Sequence, residues 1–482
     1  MFPDTSIVRK SAPPYRRGIA IAVMAVACAL LIGAAGASPP REFHVRPDGG
    51  TSKQCNGRVN QSLAEAGRSR DCAWSHPFFA LPPGGKPRMR GGDTLYIHPG
   101  HYQMGLSELS RRWCDPSAPW DCYNAAPPSG PSPDRPTRIS GAGIDGQCRS
   151  KPQLWGSERA ARVLNLEGSS HLEVDCLEIT DRSDCIEFHC HGGGCEDEVV
   201  RCQRDAPPYG DWAGTGVYAA DARQVTLRDL DVHGLAGRGF QVGRVRDWTL
   251  QRVRIIGNGW VGWDGDIGKD NSSNAGLMHF KAVEIAWNGC AERYPSREHF
   301  ACWAQSAGGY GDGLGTAATH GDWLFEDVHV HHNTSDGLDL LYLRPPGSVR
   351  IVRLRAEANA GNQLKTYGPT DLADSTIIGN CDAFSASRNM RGGDHCRALG
   401  SAVHIGMRPN ETVRLANNTI EGNGDCLVVV QGGDATTRVD FSGNRLNGAP
   451  MAMNPAKRAC GFYAHESKAK VIAAGNLMVG VR

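Results

Sequence analysis

The sequence predicts an all-β chain wound as a parallel β-helix, a solenoid of short strands, and three observations predict it. An apolar pattern recurs along the chain, an asparagine recurs at a fixed distance after it, and glycine is abundant, 60 of 482 residues. The pattern is apolar, x, apolar, x, x, apolar, x, apolar. It runs Leu172, Val174, Leu177, Ile179, then Val225, Leu227, Leu230, Val232, then Trp248, Leu250, Val253, Ile255. Met278, Phe280, Val283, Ile285 follow, then Trp323, Phe325, Val328, Val330 and Val349, Ile351, Leu354, Ala356. Two later copies, Val413, Leu415, Asn418, Ile420 and Val439, Phe441, Asn444, Leu446, carry Asn in the third slot. Alternation within each half reads as a short half-buried strand, and the two-residue gap as a bend between strands. Copies start 23 residues apart (225 to 248), 30 apart (248 to 278) and 26 apart (323 to 349, 413 to 439), the period of a solenoid coil. Asn258, Asn288, Asn333, Asn359 and Asn423 each follow the last slot by three residues. Asn tolerates left-handed backbone at a turn, and stacked copies can hydrogen-bond from coil to coil.

The ends and excursions of this solenoid are also legible. Arg9, Lys10, Arg16 and Arg17 precede an uncharged run, Gly18 to Ala37, that ends Ala-Gly-Ala. A basic head, an apolar core and a small-x-small end predict a secretory signal peptide over 1–37, the alternative being an uncleaved anchor. Residues 38–482 then form a single β-helix domain with loop excursions near 115–136, which is Pro-rich, and near 289–309. The chain has 17 cysteines, and removing Cys28 leaves an even 16, as expected of a disulfide-bonded secreted or periplasmic protein. Close spacings suggest the pairs Cys114–Cys122, Cys290–Cys302 and Cys381–Cys396. Cys185, Cys190, Cys195 and Cys202 with His189 and His191 have a zinc-like density, but disulfides account for them better outside a reducing compartment. Charge is balanced, 52 Lys+Arg against 51 Asp+Glu, which argues against a nucleic-acid partner. No other apolar run is long enough to span a bilayer, so no membrane association is expected after cleavage, and a monomer is expected.

Candidate chemistry emerges when the coils are stacked by their turn asparagines. Asn333-Thr-Ser-Asp336-Gly-Leu-Asp339 lies 26 residues before Asn359-Ala-Gly-Asn362-Gln-Leu-Lys365. Asp336 therefore falls under Asn362, and Asp339 under Lys365, at the ~4.8 Å spacing of a sheet. Asp312-Gly-Leu-Gly315 matches Asp336-Gly-Leu-Asp339, which puts Asp312 beneath Asp336. Asp264 follows Asn258 by six residues, as Asp339 follows Asn333, and shares the column. Three carboxylates at this spacing repel one another, and a bound cation with oxygen ligands, Ca²⁺, would relieve them. A lysine beside such a cation is pushed toward its neutral amine and can take a proton. That is the equipment for elimination across a uronic acid.

The chain resembles the right-handed parallel β-helices of the pectate-lyase superfamily. The resemblance rests on Phe43-His-Val-Arg-Pro-Asp-Gly-Gly50 and Gly92-Asp-Thr-Leu-Tyr-Ile-His-Pro-Gly-His-Tyr102, and covers roughly residues 41–482. Within it, Asp312-Gly313, Ser335-Asp336-Gly337-Leu338-Asp339-Leu340 and Gly361-Asn362-Gln363-Leu364-Lys365 are similar to the motifs of family-nine polysaccharide lyases. What the resemblance implies is Lys365 as base and Asp312, Asp336 and Asp339 as Ca²⁺ ligands, with an acidic polysaccharide as substrate. Ser335 stands where that family has an aspartate, leaving the Ser335 hydroxyl, a water or Asp264 to fill the gap. Arg344, with Arg350, Arg353 and Arg355, makes the neighbouring coil basic, as a polyanionic substrate requires, although ordinary surface charge explains them equally well. His329, His331 and His332 invite a metal or acid/base role, yet two of them alternate along a strand and read better as a solvated strand face. A glycoside hydrolase, a uronate epimerase and a non-catalytic glycan-binding adhesin remain as alternatives on the same scaffold.

Overall fold

The computed structural model describes residues 39–142, 146–187, 200–202, 206–268, 273–303, 310–384, 390–391, 401–452 and 454–482. The expected leader, residues 1–37, lies outside them, as do His189, Cys190, His191, Cys195 and Cys396. Residues 41–482 form one unit. Among the described residues it contains three long parallel sheets, of 13, 12 and 10 strands. The fold is the parallel β-helix that the repeat predicts. A complete coil gives one strand to each sheet in turn, as Arg246–Gln251, Arg254–Ile256 and Val261–Gly265 do.

The apolar slots point inward because side chains alternate along a strand. Trp248, Leu250, Val253 and Ile255 are fully buried, and the copies above stack on them in register, Trp248 against Met278 and Leu250 against Phe280. Aromatic rings continue the stack: Trp263 meets Phe280 edge-on at 5.1 Å, and Phe280 lies over Phe325 at 5.1 Å. The two-residue gap is a left-handed bend. Cys176, Asp229, Arg252, Ala282, Asp327 and Arg353 all have φ between +52° and +57°. Few of these are residues that favour that region, so the stacking on either side holds them there.

The turn asparagines form a buried ladder. Asn258 donates through Nδ2 to Asn288 Oδ1 at 2.9 Å, Asn288 to Asn333 at 2.8 Å, and Asn333 to Asn359 at 2.8 Å. Gln363 Oε1 closes it by accepting from Asn359 at 2.7 Å. The backbone N–H of Asn423 donates to the Gly379 carbonyl at 3.1 Å. The late coils carry a second ladder instead, Asn418 to Asn444 at 2.9 Å and Asn444 to Asn476 at 3.0 Å, which explains Asn in their third apolar slot.

The described residues of both excursions are more ordered than loops. In the Pro-rich segment, Cys114–Cys122 is a disulfide, and Asn124 is buried, exchanging hydrogen bonds with Asn165 at 2.9 and 3.0 Å. Those bonds let an irregular stretch stand where a strand of the third sheet would otherwise begin. The second excursion contains an antiparallel hairpin, Ala291–Arg293 with Glu298–Phe300, closed at its base by Cys290–Cys302. It is docked on the second sheet through charge. Glu292 Oε1 lies 2.6 Å from His233 Nδ1, and Arg297 donates to both Asp231 oxygens at 2.8 and 3.2 Å.

Six disulfides occur among the described residues, Cys55–Cys72, Cys148–Cys176, Cys185–Cys202 and Cys426–Cys460 joining the two above. They belong to an oxidising compartment, outside the cell or in the periplasm. Cys185 is thereby paired with Cys202, and neither is a free thiolate for zinc. Among the described residues no helix is long and apolar enough to cross a membrane.

Candidate active site

The outward face of the third sheet carries one column of side chains. Its rungs are Gln241, Asp264, Gly315, Asp339, Lys365 and His404, each paired with the next on the neighbouring coil. Alternation produces the column: in Leu338–Leu340 the two leucines are buried while Asp339 faces out, and Leu364 and Thr366 are buried on either side of Lys365. The Asn ladder fixes this register, because Asn333 and Asn359 set adjacent coils 26 residues apart.

Lys365 bridges two carboxylates. Its Nζ donates to Asp336 Oδ2 at 3.0 Å and to Asp339 Oδ2 at 2.8 Å. Asp336 is buried, and its other oxygen accepts from the Asn362 backbone N–H at 2.6 Å and from Asn362 Nδ2 at 2.8 Å. Asp339 Oδ1 accepts from the Leu341 N–H at 2.8 Å. Asp312 lies one coil below, its Oδ1 accepting from the Asp336 backbone N–H at 3.1 Å. Ser335 is fully buried, and its hydroxyl hydrogen-bonds the Asp312 carboxylate.

Two glycines make room for these carboxylates. A Cβ on Gly315 would stand 2.9 Å from Asp312 Oδ2, and one on Gly361 would stand 2.3 Å from Asp336 Oδ1. Gly315 also leaves a gap in the column between Asp264 and Asp339. The gap is part of a cleft of about 580 Å³ lined by Asp312, Asp339 and Lys365 at one end and by Asp264, Arg238 and Trp260 at the other. Arg238 donates to Asp264 Oδ2 at 2.5 Å and lies 3.8 Å over the Trp260 ring. Tyr342, more than half exposed, forms part of the rim.

The electrostatics divide the carboxylates. Burial, then the charges of Asp336 and Asp339, push the Asp312 carboxyl well above its ordinary range. Burial and the Asp336 charge raise Asp339 to about 6. Burial also works against the Asp336 anion, but Lys365 and the Asn362 hydrogen bonds outweigh it and hold Asp336 low. For Lys365, burial favours the neutral amine, yet the two aspartates outweigh it and hold the ammonium.

The sequence-derived residues thus divide in three. Lys365, Asp336, Asp339 and Asp312 come together, and Asp264 lies in the same cleft two rungs away, neutralised by Arg238. Ser335 is turned into the wall against Asp312. Arg344 is exposed on the turn after Leu338–Leu340, its N–H donating to Thr319, and does not line the cleft. Arg238, Trp260 and Tyr342 are cleft residues that the sequence reading did not single out. A register carried one coil further back from Asp264 reaches Gln241, and Arg238 lies three residues before it on the same strand, opposite Val261.

No protein-family model matches the chain, and no curated protein matches it. Solved β-helix structures do resemble it. The A-module of the Azotobacter vinelandii mannuronan C-5 epimerase AlgE4 aligns over 80% of this chain and 87% of its own at 14% identity, TM-score 0.48. PfbA, a surface adhesin of Streptococcus pneumoniae, aligns over 80% and 82% at 10% identity, TM-score 0.38. The pectate lyase Pel9A aligns over 92% and 79% at 12% identity, TM-score 0.32. At such identities the likeness is one of winding, and an epimerase, an adhesin and a lyase share it.

Proposed function

We propose that this chain is an enzyme acting on an acidic polysaccharide, cleaving it by β-elimination at a uronic-acid residue. The observation that carries this reading is Lys365 held between Asp336 and Asp339 on the wall of an open cleft. A polymer fits a cleft along a solenoid face, since successive sugars can lie across successive coils. Trp260, packed under Arg238, supplies an aromatic side chain to the cleft wall for a neighbouring sugar.

In the proposed step the Lys365 amine takes the proton next to the uronate carboxylate. The electron pair left behind forms a carbon–carbon double bond, and the glycosidic C–O bond breaks, its oxygen leaving with a proton from solvent. Lys365 must shed its own proton first, and Asp336 and Asp339 are the groups that hold it. The donor set suits a hard divalent cation such as Ca²⁺: it is all oxygen, and Gly315 leaves Asp312 Oδ2 uncovered toward the cleft. Asp312 and Asp339 would hold the ion with Asp336 behind them. Bound there, calcium would neutralise the substrate carboxylate and acidify the adjacent C–H. Ser335, engaged with Asp312, would position that carboxylate rather than ligate.

One observation favours a second reading. Asp312 and Asp339 are raised while Asp336 is lowered, and carboxylates so divided can serve as acid and base in glycoside hydrolysis. A panel of uronate polymers, followed by the ultraviolet absorbance of unsaturated uronates with calcium and with chelator, separates the two. A calcium-dependent rise supports elimination. New reducing ends without a rise overturn it in favour of hydrolysis, and no cleavage on any uronate polymer overturns both.

A further inference from the structure

The three histidines predicted as a solvated strand face are not simply solvated. His329 and His331 lie on His329–His331, a strand of the second sheet, and Glu284 lies on the neighbouring strand Glu284–Ala286, paired with His329. All three are half-buried, and one ligand atom from each lies within 4.8 Å of the others. They belong to a different sheet from the cleft and to none of its chemistry.

We propose that Glu284, His329 and His331 bind a borderline divalent cation of the zinc class. Two imidazoles and one carboxylate are the donors such ions select over calcium, and three protein ligands leave a position open to water. His331 Nε2 lies 3.3 Å from Glu284 Oε1, near the edge length of a tetrahedron with bonds of about 2.0–2.1 Å.

The surroundings are those of an oriented site. Glu284 Oε2 is held by Arg254 Nε at 2.8 Å, leaving Oε1 directed at His331. His331 Nδ1 lies 2.9 Å from His332 Nδ1, so an Nε2-ligating His331 keeps its proton on Nδ1 and donates it to His332. His332 is itself fixed by stacking on Trp287 at 4.5 Å. His329 Nε2 lies 3.1 Å from Glu357 Oε1, and both Glu357 oxygens are clamped by Arg355. Metal-binding histidines characteristically have such partners on the nitrogen they do not use.

The test is zinc titration of the purified, chelator-stripped full chain by calorimetry, in excess calcium, with cobalt absorption as a second readout. The expected result is one zinc equivalent that calcium does not displace, and cobalt bands of low-symmetry nitrogen and oxygen coordination. That equivalent and those bands should vanish in the His329→Ala/His331→Ala variant and in Glu284→Gln, which keeps the side-chain shape. His332→Ala should weaken zinc by about 10–100-fold, as loss of an orienting partner does. Zinc binding that is absent, displaced by calcium, or unchanged in stoichiometry and affinity in both ligand variants overturns the proposal.

Discussion

The charged contact that docks the 291–300 hairpin should make its hold on the solenoid dependent on pH. His233 is buried between Glu178, 3.0 Å from Nε2, and Glu292, 2.6 Å from Nδ1. Burial alone would lower its pKa, but the two glutamates outweigh it and raise it from 6.5 to about 9. A raised value means that the folded state binds the proton more tightly than the unfolded state. The stabilisation is therefore complete below about pH 6.5 and lost as pH climbs to about 9. At about 1.4 kcal/mol per pH unit, the span from 6.5 to 9 corresponds to ~3 kcal/mol. Glu178 stays with His233 when the hairpin lifts, so the hairpin's share is about half, or roughly tenfold in its opening equilibrium. The same contact holds Glu292 down to about 2, so its acid limb falls below this range. Hydrogen exchange of the hairpin, corrected for intrinsic rates, should lose roughly tenfold in protection between pH 6.5 and 9.5. His233→Gln should show no such loss, its protection already low at pH 6.5. If wild type and variant change in parallel across that range, His233 does not carry the charge that docks the hairpin.

Other outcomes follow from the same geometry. Lys365→Ala should lower turnover by about 10²–10⁴-fold in the absorbance assay, as expected for a lost general base, and should also lower the thermal unfolding midpoint, because it strands the buried Asp336 carboxylate. Gly315→Ala should lower activity and calcium response together, since its Cβ would meet Asp312 Oδ2 at 2.9 Å; calorimetry with calcium checks the second part. Asn333→Ala breaks a ladder rung and strands buried partners on both neighbouring coils, costing about 1–3 kcal/mol for each unsatisfied group, measurable by chemical denaturation. Replacing Cys290 and Cys302 by Ser should speed proteolytic nicking within 291–300 while the three sheets persist by circular dichroism.

The sequence made the site's central column legible because of the ladder that fixes it. Asn333 and Asn359 gave the register, and Asp339 then had to fall beside Lys365. Asp312 was found through its Asp-Gly match even though an excursion separates its coil from the one before. Arg238 escaped because its coil contributes Gln241 rather than a carboxylate to the column, and Trp260 because it stands just before the strand that carries Asp264, outside the repeating slots. Ser335 was legible as a residue type but not in its direction, which depends on the tight turn after Asn333. Asn423 had the right spacing, and the coil below it carries Asn380 in the matching position; Asn380 Oδ1 accepts from the Ala358 N–H at 2.8 Å, while the Asn359 amide is taken by Gln363, so the first ladder stops there. The hairpin was invisible because its strands are three residues long and bind by charge, so no apolar periodicity announces them.

Coil stacked on coil, with each ladder rung reaching only its neighbour, has a mechanical consequence. A molecule tethered at its two ends and drawn apart should not give way all at once. Rungs at its ends would part before those inside, and the contour should grow by one winding at a time. A winding of 26 residues, Asn333 to Asn359, would release roughly 90 Å at about 3.4 Å per residue. The winding that contains Cys290 and Cys302 would fall short of its full length, because the 12-residue span between them stays sealed. Reducing agent should restore that missing extension and leave windings without a disulfide as they were.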